Sequence, residues 1–235
     1  MAKIIDGENN LAVWKQAGQF LENNGNSVFN LILTVNEPTQ FDQEWLSLYD
    51  PNKLVNKAPS VENVIKTIFP YQLLRDDKDA NFIYNCYKRA HRLSKLRRHW
   101  GTYFLRMISY GPGEINQLQR IIDAASSTTS TWKGSYYIHI TDPSLESNVR
   151  PFGGPCLQYI QISMSDINTL NLTAVYRNHD YFNRTFGNLL GLSFLLKFIC
   201  RESNKDVGTI CCHSMHAFYG SSNRNFKKLL AGDTN

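Results

Sequence analysis

Residues 169–202 read TLNLTAVYRNHDYFNRTFGNLLGLSFLLKFICRE, and their hydrophobic period changes half way along. In Thr169 to Tyr176, Leu170, Leu172, Ala174 and Tyr176 alternate with Asn171, Thr173 and Val175. That period of two predicts a strand with one buried face. After a polar run, Asn188 to about Glu202 is almost continuously apolar. It reads as a buried helix opened by Asn188, since asparagine is a good N-cap. A half-buried strand beside a greasy helix calls for a sheet with helices packed on it, an α+β layer arrangement.

Neighbouring segments extend the pattern in both directions. Tyr136 to Thr141 and Leu157 to Ser165 read as strands before it, and Val207 to Cys212 as a strand after it. In the first half, Asn9 to Glu22 puts Leu11, Trp14, Ala17, Phe20 and Leu21 on one helical face. Ser27 to Val35 reads as a strand ending at Glu37-Pro38, and Thr39 to Lys57 as an elaborated loop. Ser60 caps a helix from Val61 to about Ile68 that Pro70 stops. Asp79 to Arg98 and Glu114 to Ala125 are further helices, with a turn at Tyr110-Gly-Pro-Gly and a loop from Ser126 to Thr131. No repeat or linker divides the chain, so residues 1–235 read as a single α+β domain.

Composition narrows the function classes. Apolar residues at 42% and charged residues at 19% exclude a mainly disordered chain. A net charge of +5 suits anionic ligands such as nucleotides but is too small to indicate nucleic-acid binding. The N-terminus lacks a basic-then-apolar leader pattern, and Leu189 to Cys200 is too short for a membrane span. A cytoplasmic protein without a membrane partner is expected. Five scattered cysteines without a CxxC pair suggest neither a disulfide framework nor a metal site. The basic run Lys88, Arg89, Arg92, Lys95, Arg97 and Arg98 reads as a solvated helix face, with a phosphate- or nucleic-acid-contacting patch as the alternative. The second half lacks the stacking aromatics of RNA-binding modules, which disfavours nucleic acid.

The chemistry-bearing residues concentrate late in the chain. Cys156 enters a strand after Gly-Pro, and a cysteine acts as a nucleophile only as thiolate, which nearby cations favour. Arg177 is one candidate cation, although it could instead pair with Asp180. A lone cysteine is more often a small buried hydrophobe. The order is more telling than any single residue: Cys156, two strands, Arg177, Asp180, Asn188, a helix, then a strand running into His213 to Tyr219.

That order resembles the thymidylate synthase family, including its pyrimidine hydroxymethylase branch. Pro155-Cys156 matches the family's nucleophile, and Arg177, Asp180 and Asn188 fall at its spacing. His216 matches its histidine, with Phe218 at the expected tyrosine and Tyr219 one place later. Trp100-Gly101 and Ile115-Asn-Gln-Leu118 are similar to two upstream elements, and the resemblance is strongest over residues 98–220. The resemblance implies a mixed sheet with packed helices that dimerises through the sheet. It implies a pyrimidine nucleotide substrate, with 5,10-methylenetetrahydrofolate as the one-carbon donor. Cys156 would add to C6 of the ring, Arg177 would hold the phosphate and Asn188 would read the ring edge as uracil. Asp180 and Trp100 would border the cofactor, His216 with Tyr219 or Phe218 the sugar, and Glu62 would order a proton-transfer water. Glu62 read alone is a first-turn helix acid.

Three departures bear on the reaction. The family's paired arginines, supplied across its dimer, would precede Tyr136, where Lys133 is the one cation. A second, different chain is an alternative source of the missing charge. Leu157 stands where the family has a histidine. Sixteen residues follow Tyr219, so the family's closing tail is expected to be absent. An open site favours water as the final acceptor, hence hydroxymethylation over methylation. The alternative is a catalytically altered protein of the same fold, serving as a nucleotide-binding or partner subunit.

Overall fold

The structure, a computed structural model of the chain, describes residues 2–93, 101–127, 134, 136–146 and 154–233. Along the first half run β1 (Lys3–Gly7), α1 (Asn10–Asn23), β2 (Ser27–Val35), α2 (Trp45–Leu48), α3 (Val61–Ile68), α4 (Ala80–Leu93), α5 (Tyr103–Ile108) and α6 (Gln117–Ser127). The second half holds β3 (Tyr136–His139), β4 (Leu157–Met164), β5 (Thr169–Tyr176), β6 (His179–Asp180), α7 (Phe186–Ser203), β7 (Asp206–Phe218) and α8 (Asn223–Ala231). The strands form one mixed sheet in the order β1-β2-β7-β5-β4-β3, and β6 pairs with β7 just past the point where β5 leaves it.

Side-chain alternation decides which face is covered. Leu31, Leu33, Ile138, Ile160, Ile162, Leu170, Leu172, Ala174 and Cys212 all point to the helical side and are fully buried. α7 lies on that face against β5 and β7, flanked by α1, α3 and α6. Being largely surrounded, it is apolar around most of its circumference, with Lys197 exposed. Its approach to α3 is close: a Cβ on Gly187 would sit 2.7 Å from the Val64 Cβ. The opposite face of the sheet exposes Ile4, Tyr137, Tyr159 and Met215.

The expected strands 27–35 and 169–176 and the helix 61–68 occur with those bounds, the helix capped by the Ser60 hydroxyl. Other elements differ. α7 begins at Phe186 and follows a π-helical turn, Tyr181–Thr185, so Asn188 lies inside the helix and does not cap it. The Asp180 carboxylate takes the capping role by accepting from the Asn183 N–H. The expected loop 39–57 contains α2 and a 3-10 turn, Pro51–Lys53, started by Asp50. β1, α5 and α8 have no counterpart in the sequence reading, and β7 runs on to Phe218 beyond the expected Cys212. The expected helix 79–98 is seen from Ala80 to Leu93; its remainder, with Lys95, Arg97 and Arg98, lies outside the described residues, as does Trp100. Lys133 lies outside them too. No helix among the described residues is long and apolar enough to cross a membrane.

Candidate active site

β4 and β5 are antiparallel, and Leu157 pairs with Tyr176, so the chain positions just outside that pair are Cys156 and Arg177. The Arg177 N–H donates to the Cys156 carbonyl at 2.9 Å. Its guanidinium turns back over the same turn, Nε donating to Pro155 O at 3.1 Å and Nη2 to Gly154 O at 3.4 Å. Among the described residues Arg177 makes those bonds and no ion pair with Asp180. A bulge at Gln158 separates Cys156 from the regular ladder, and the Gln158 amide donates to the carbonyls of Pro155 and Cys156. From α5, the Tyr103 hydroxyl accepts the Cys156 N–H at 3.3 Å. The half-buried thiol therefore sits on a turn held from three directions.

Burial pushes the Cys156 thiol above its ordinary value, while Arg177 and then Arg184 pull it down and Asp180 pushes it up. Desolvation dominates, so this thiol is protonated near neutrality. Arg184, in the π-helical turn, was not singled out in the sequence. The available signal was a second cation in the polar run between Tyr176 and Asn188.

The Asp180 carboxylate accepts from Asn183 twice, from N at 3.0 Å and from Nδ2 at 2.8 Å. It lines a cavity of about 260 Å³ together with Val55 to Pro59, Asn183 and Arg184. A carboxylate has about four lone-pair positions, so two remain for a ligand donor. The cavity wall thus combines a carboxylate, the amides of Asn56 and Asn183 and the cations Lys57 and Arg184.

Asn188 is 3% exposed, and its Nδ2 donates to His179 Nε2 at 2.9 Å. His179 Nδ1 is 2.8 Å from Ser214 Oγ on β7. The Tyr176 ring stacks on His179 with centroids 4.1 Å apart and planes at 3°. The Tyr176 hydroxyl is buried without a hydrogen-bond partner among the described residues and lies within electrostatic reach of Cys156 and Tyr103. Tyr176 thereby joins the Asn188 group to the nucleophile turn.

His216 Nδ1 meets Asn178 Oδ1 at 2.7 Å, and its ring packs on Phe29 and Phe218. Tyr219 is buried, donates its hydroxyl to Asn26 Oδ1 and stacks on Phe226, so Phe218 is the ring beside His216. Glu62 is on α3, paired with Lys66 at 3.3 Å and close to the Tyr71 hydroxyl. Among the described contacts none joins it to Cys156. Trp100 lies outside the described residues. No cluster of potential metal ligands occurs among the described residues.

No protein-family model matches the chain. It is 24% identical over 195 residues to a protein named "Putative thymidylate synthase" from Methanothermobacter marburgensis, covering 81% of this chain and 75% of that one. A protein of the same name from Methanothermobacter thermautotrophicus is 25% identical over 195 residues, 81% of this chain and 76% of the relative. One from Methanococcoides burtonii is 25% identical over 132 residues, 56% of this chain and 58% of the relative. The chain is thus similar, at a divergent level, to thymidylate synthase-like proteins without matching one particular member.

Proposed function

We propose that the protein transfers a one-carbon unit to C5 of a pyrimidine nucleotide, with Cys156 as the nucleophile. The observation that carries this is the convergence on one thiol of Arg177, Arg184 and a rigid turn. Similarity to thymidylate synthase-like proteins over most of the chain supports the same reading. Arg177 and Arg184 would neutralise the nucleotide phosphate. The Cys156 sulfur, once deprotonated, bonds to C6 and sends the C5–C6 electron pair to C5 and O4, where Asn188 holds the developing charge. His216 and Phe218 would border the sugar.

The wall of Asp180, Asn183 and Arg184 suits a reduced folate, with Asp180 accepting from the pterin N–H groups. A bound 5,10-methylenetetrahydrofolate would supply the one-carbon unit. Glu62 would order the water that carries the C5 proton away. Hydroxymethylation is the proposed outcome, with water as the acceptor at the exocyclic carbon; the described residues after Tyr219 dock α8 on α1 through Leu230 and Gly18. The open sheet face is the proposed pairing surface for two copies of the chain.

Tritium release from C5-labelled dUMP, UMP, dCMP and CMP with methylenetetrahydrofolate tests the reading. Release should require both the folate and Cys156, and should proceed without dihydrofolate formation. Dihydrofolate formed in step with release would indicate methylation instead. One observation favours a second reading, a nucleotide-binding or partner subunit without turnover: burial keeps the Cys156 thiol protonated. No release from any of the four nucleotides, with binding retained, would select it.

A further inference from the structure

We propose that the ion pair between Arg106 and Glu146 is a clamp that positions the nucleophile turn, acting on Cys156 through Gly154. The inference rests on the reading of the site given above and assigns a role to two charges which that reading leaves unused. The side chains of Arg106 and Glu146 are 7% and 16% exposed, and Arg106 Nη2 pairs with Glu146 Oε1. Taking two charges out of water is costly, and apolar side chains of similar volume often serve stability as well. A pair kept here calls for something that directed charges do and apolar packing does not.

α5 supplies the frame. Tyr103 and Arg106 are three residues apart and neighbours on that helix surface. The Tyr103 hydroxyl accepts the Cys156 N–H at 3.3 Å, and Arg106 Nη1 donates to Ile140 O at 2.6 Å. One helix thus holds the residue that follows β3 and the residue that precedes β4. Two neighbouring carbonyls are held as well, His139 O by Gln117 Nε2 at 2.9 Å and Thr141 O by the Tyr110 hydroxyl at 2.6 Å. Gln117 also accepts the His139 N–H at 2.9 Å and donates to Arg106 O at 3.0 Å. The end of β3 is therefore fixed to α5 and α6.

Glu146 carries that fixed point to the nucleophile. Its Oε2 accepts the Asp142 N–H at 2.6 Å, and Asp142 O accepts the N–H groups of Leu145 at 3.0 Å and Glu146 at 2.9 Å. The carboxylate is thus anchored at one oxygen by Arg106 and at the other by its own turn. Its stem reaches Gly154, where a Cβ would sit 3.7 Å from Glu146 Cγ and 3.7 Å from Arg177 Nη2. Gly154 lies between those two side chains, and Arg177 donates to its carbonyl. Tilting the turn that bears Cys156 breaks one of these contacts. Only a planar guanidinium fork serves Ile140 O and the carboxylate at once in a fixed geometry, which is the use of charge at position 106. Arg106 and Glu146 are positioning residues, since neither touches Cys156 among the described contacts.

Arg106→Met, Glu146→Gln and the double variant test this through two readings on folded protein. The first is the rate of Cys156 alkylation by iodoacetamide at one fixed pH, followed by peptide mass, which needs no turnover. Each single variant should raise it by about tenfold, because a loosened turn exposes the half-buried thiol. The second is tritium release from C5-labelled dUMP, UMP, dCMP and CMP with methylenetetrahydrofolate. There kcat should fall by about tenfold or more while KM stays within about threefold, as for a misplaced reacting atom. The double variant should do no worse than the poorer single one, since the two side chains act as a unit. A pair that serves stability alone would lower the urea midpoint and leave both readings unchanged per folded molecule. That outcome overturns the proposal, as does a double variant in which the two single effects multiply. Should Arg106→Met fail to fold, Glu146→Gln, which keeps the shape of its side chain, decides the matter alone. A wild type that releases no tritium sinks the functional reading, and the alkylation rates still decide the clamp.

Discussion

Cys156 stands between opposing influences, burial raising its pKa and the guanidinium groups of Arg177 and Arg184 lowering it. Its alkylation by iodoacetamide, followed by peptide mass, should therefore climb through pH 9 without reaching a plateau. In Arg177→Gln and in Arg184→Gln the climb should move to higher pH, and an unmoved profile would dissociate those cations from the thiol. His179 gives a second pH signature. Its folded pKa of about 3 lies below the unfolded value near 6.5, so the unfolded chain binds the extra proton first. Stability contributed by the neutral ring is complete above about pH 6.5 and is lost as pH falls towards 3, at about 1 kcal/mol per pH unit. Urea midpoints at pH 7.5 and 5 should diverge more for the wild type than for His179→Gln. The residue types at 156, 177, 180 and 188 were readable as candidate chemistry. The contacts of His179 and Arg184 were not, since each depends on a partner at least 9 residues away in another element.

Among the elements, α7 and its π-helical entry do the positioning. An isolated asparagine before an apolar run reads as a cap, yet Asp180 caps the preceding turn and shifts Asn188 into the helix, where its side chain reaches His179. The close crossing of α3 and α7 is a matter of backbone space. Gly187→Ala would place a methyl 2.7 Å from the Val64 Cβ and 3.0 Å from the Val61 carbonyl. Although alanine is the better helix former, this variant should lose about 1–3 kcal/mol by overpacking, measured by urea unfolding. No loss would mean α3 can slide outward. The short or unevenly patterned elements β1, α5 and α8 escaped the sequence reading because their partners define them. α5, for example, is an unbroken apolar run around Arg106, whose guanidinium donates to Ile140 O and pairs with Glu146.

On the scale of the molecule, the helices cover one face of the sheet, and Ile4, Tyr137, Tyr159 and Met215 remain 62%, 55%, 38% and 45% exposed on the other. A surface of that kind, apolar and spread across several strands, is expected to pair with a second copy. Sedimentation equilibrium should show a dimer, and Tyr159→Asp with Met215→Asp should shift it to monomer with the far-ultraviolet spectrum unchanged. A wild type that sediments as a monomer would remove the sheet pairing from the proposed function.

The sequence by itself determined the periods and the order: a strand alternating at 169–176, an apolar helix after it, and Cys156, Arg177, Asp180 and Asn188 strung along that frame. Those are consequences of local backbone geometry, because a side chain's direction in a strand or helix depends on its position in the repeat. Only the tertiary structure decided which side chains meet. Strand register puts Arg177 beside Cys156, and the pairing of β6 with β7 brings His179 to Ser214, 35 residues further along. A bulge or a shifted helix start changes such meetings without altering the hydrophobic pattern, which is why the pattern could not announce them.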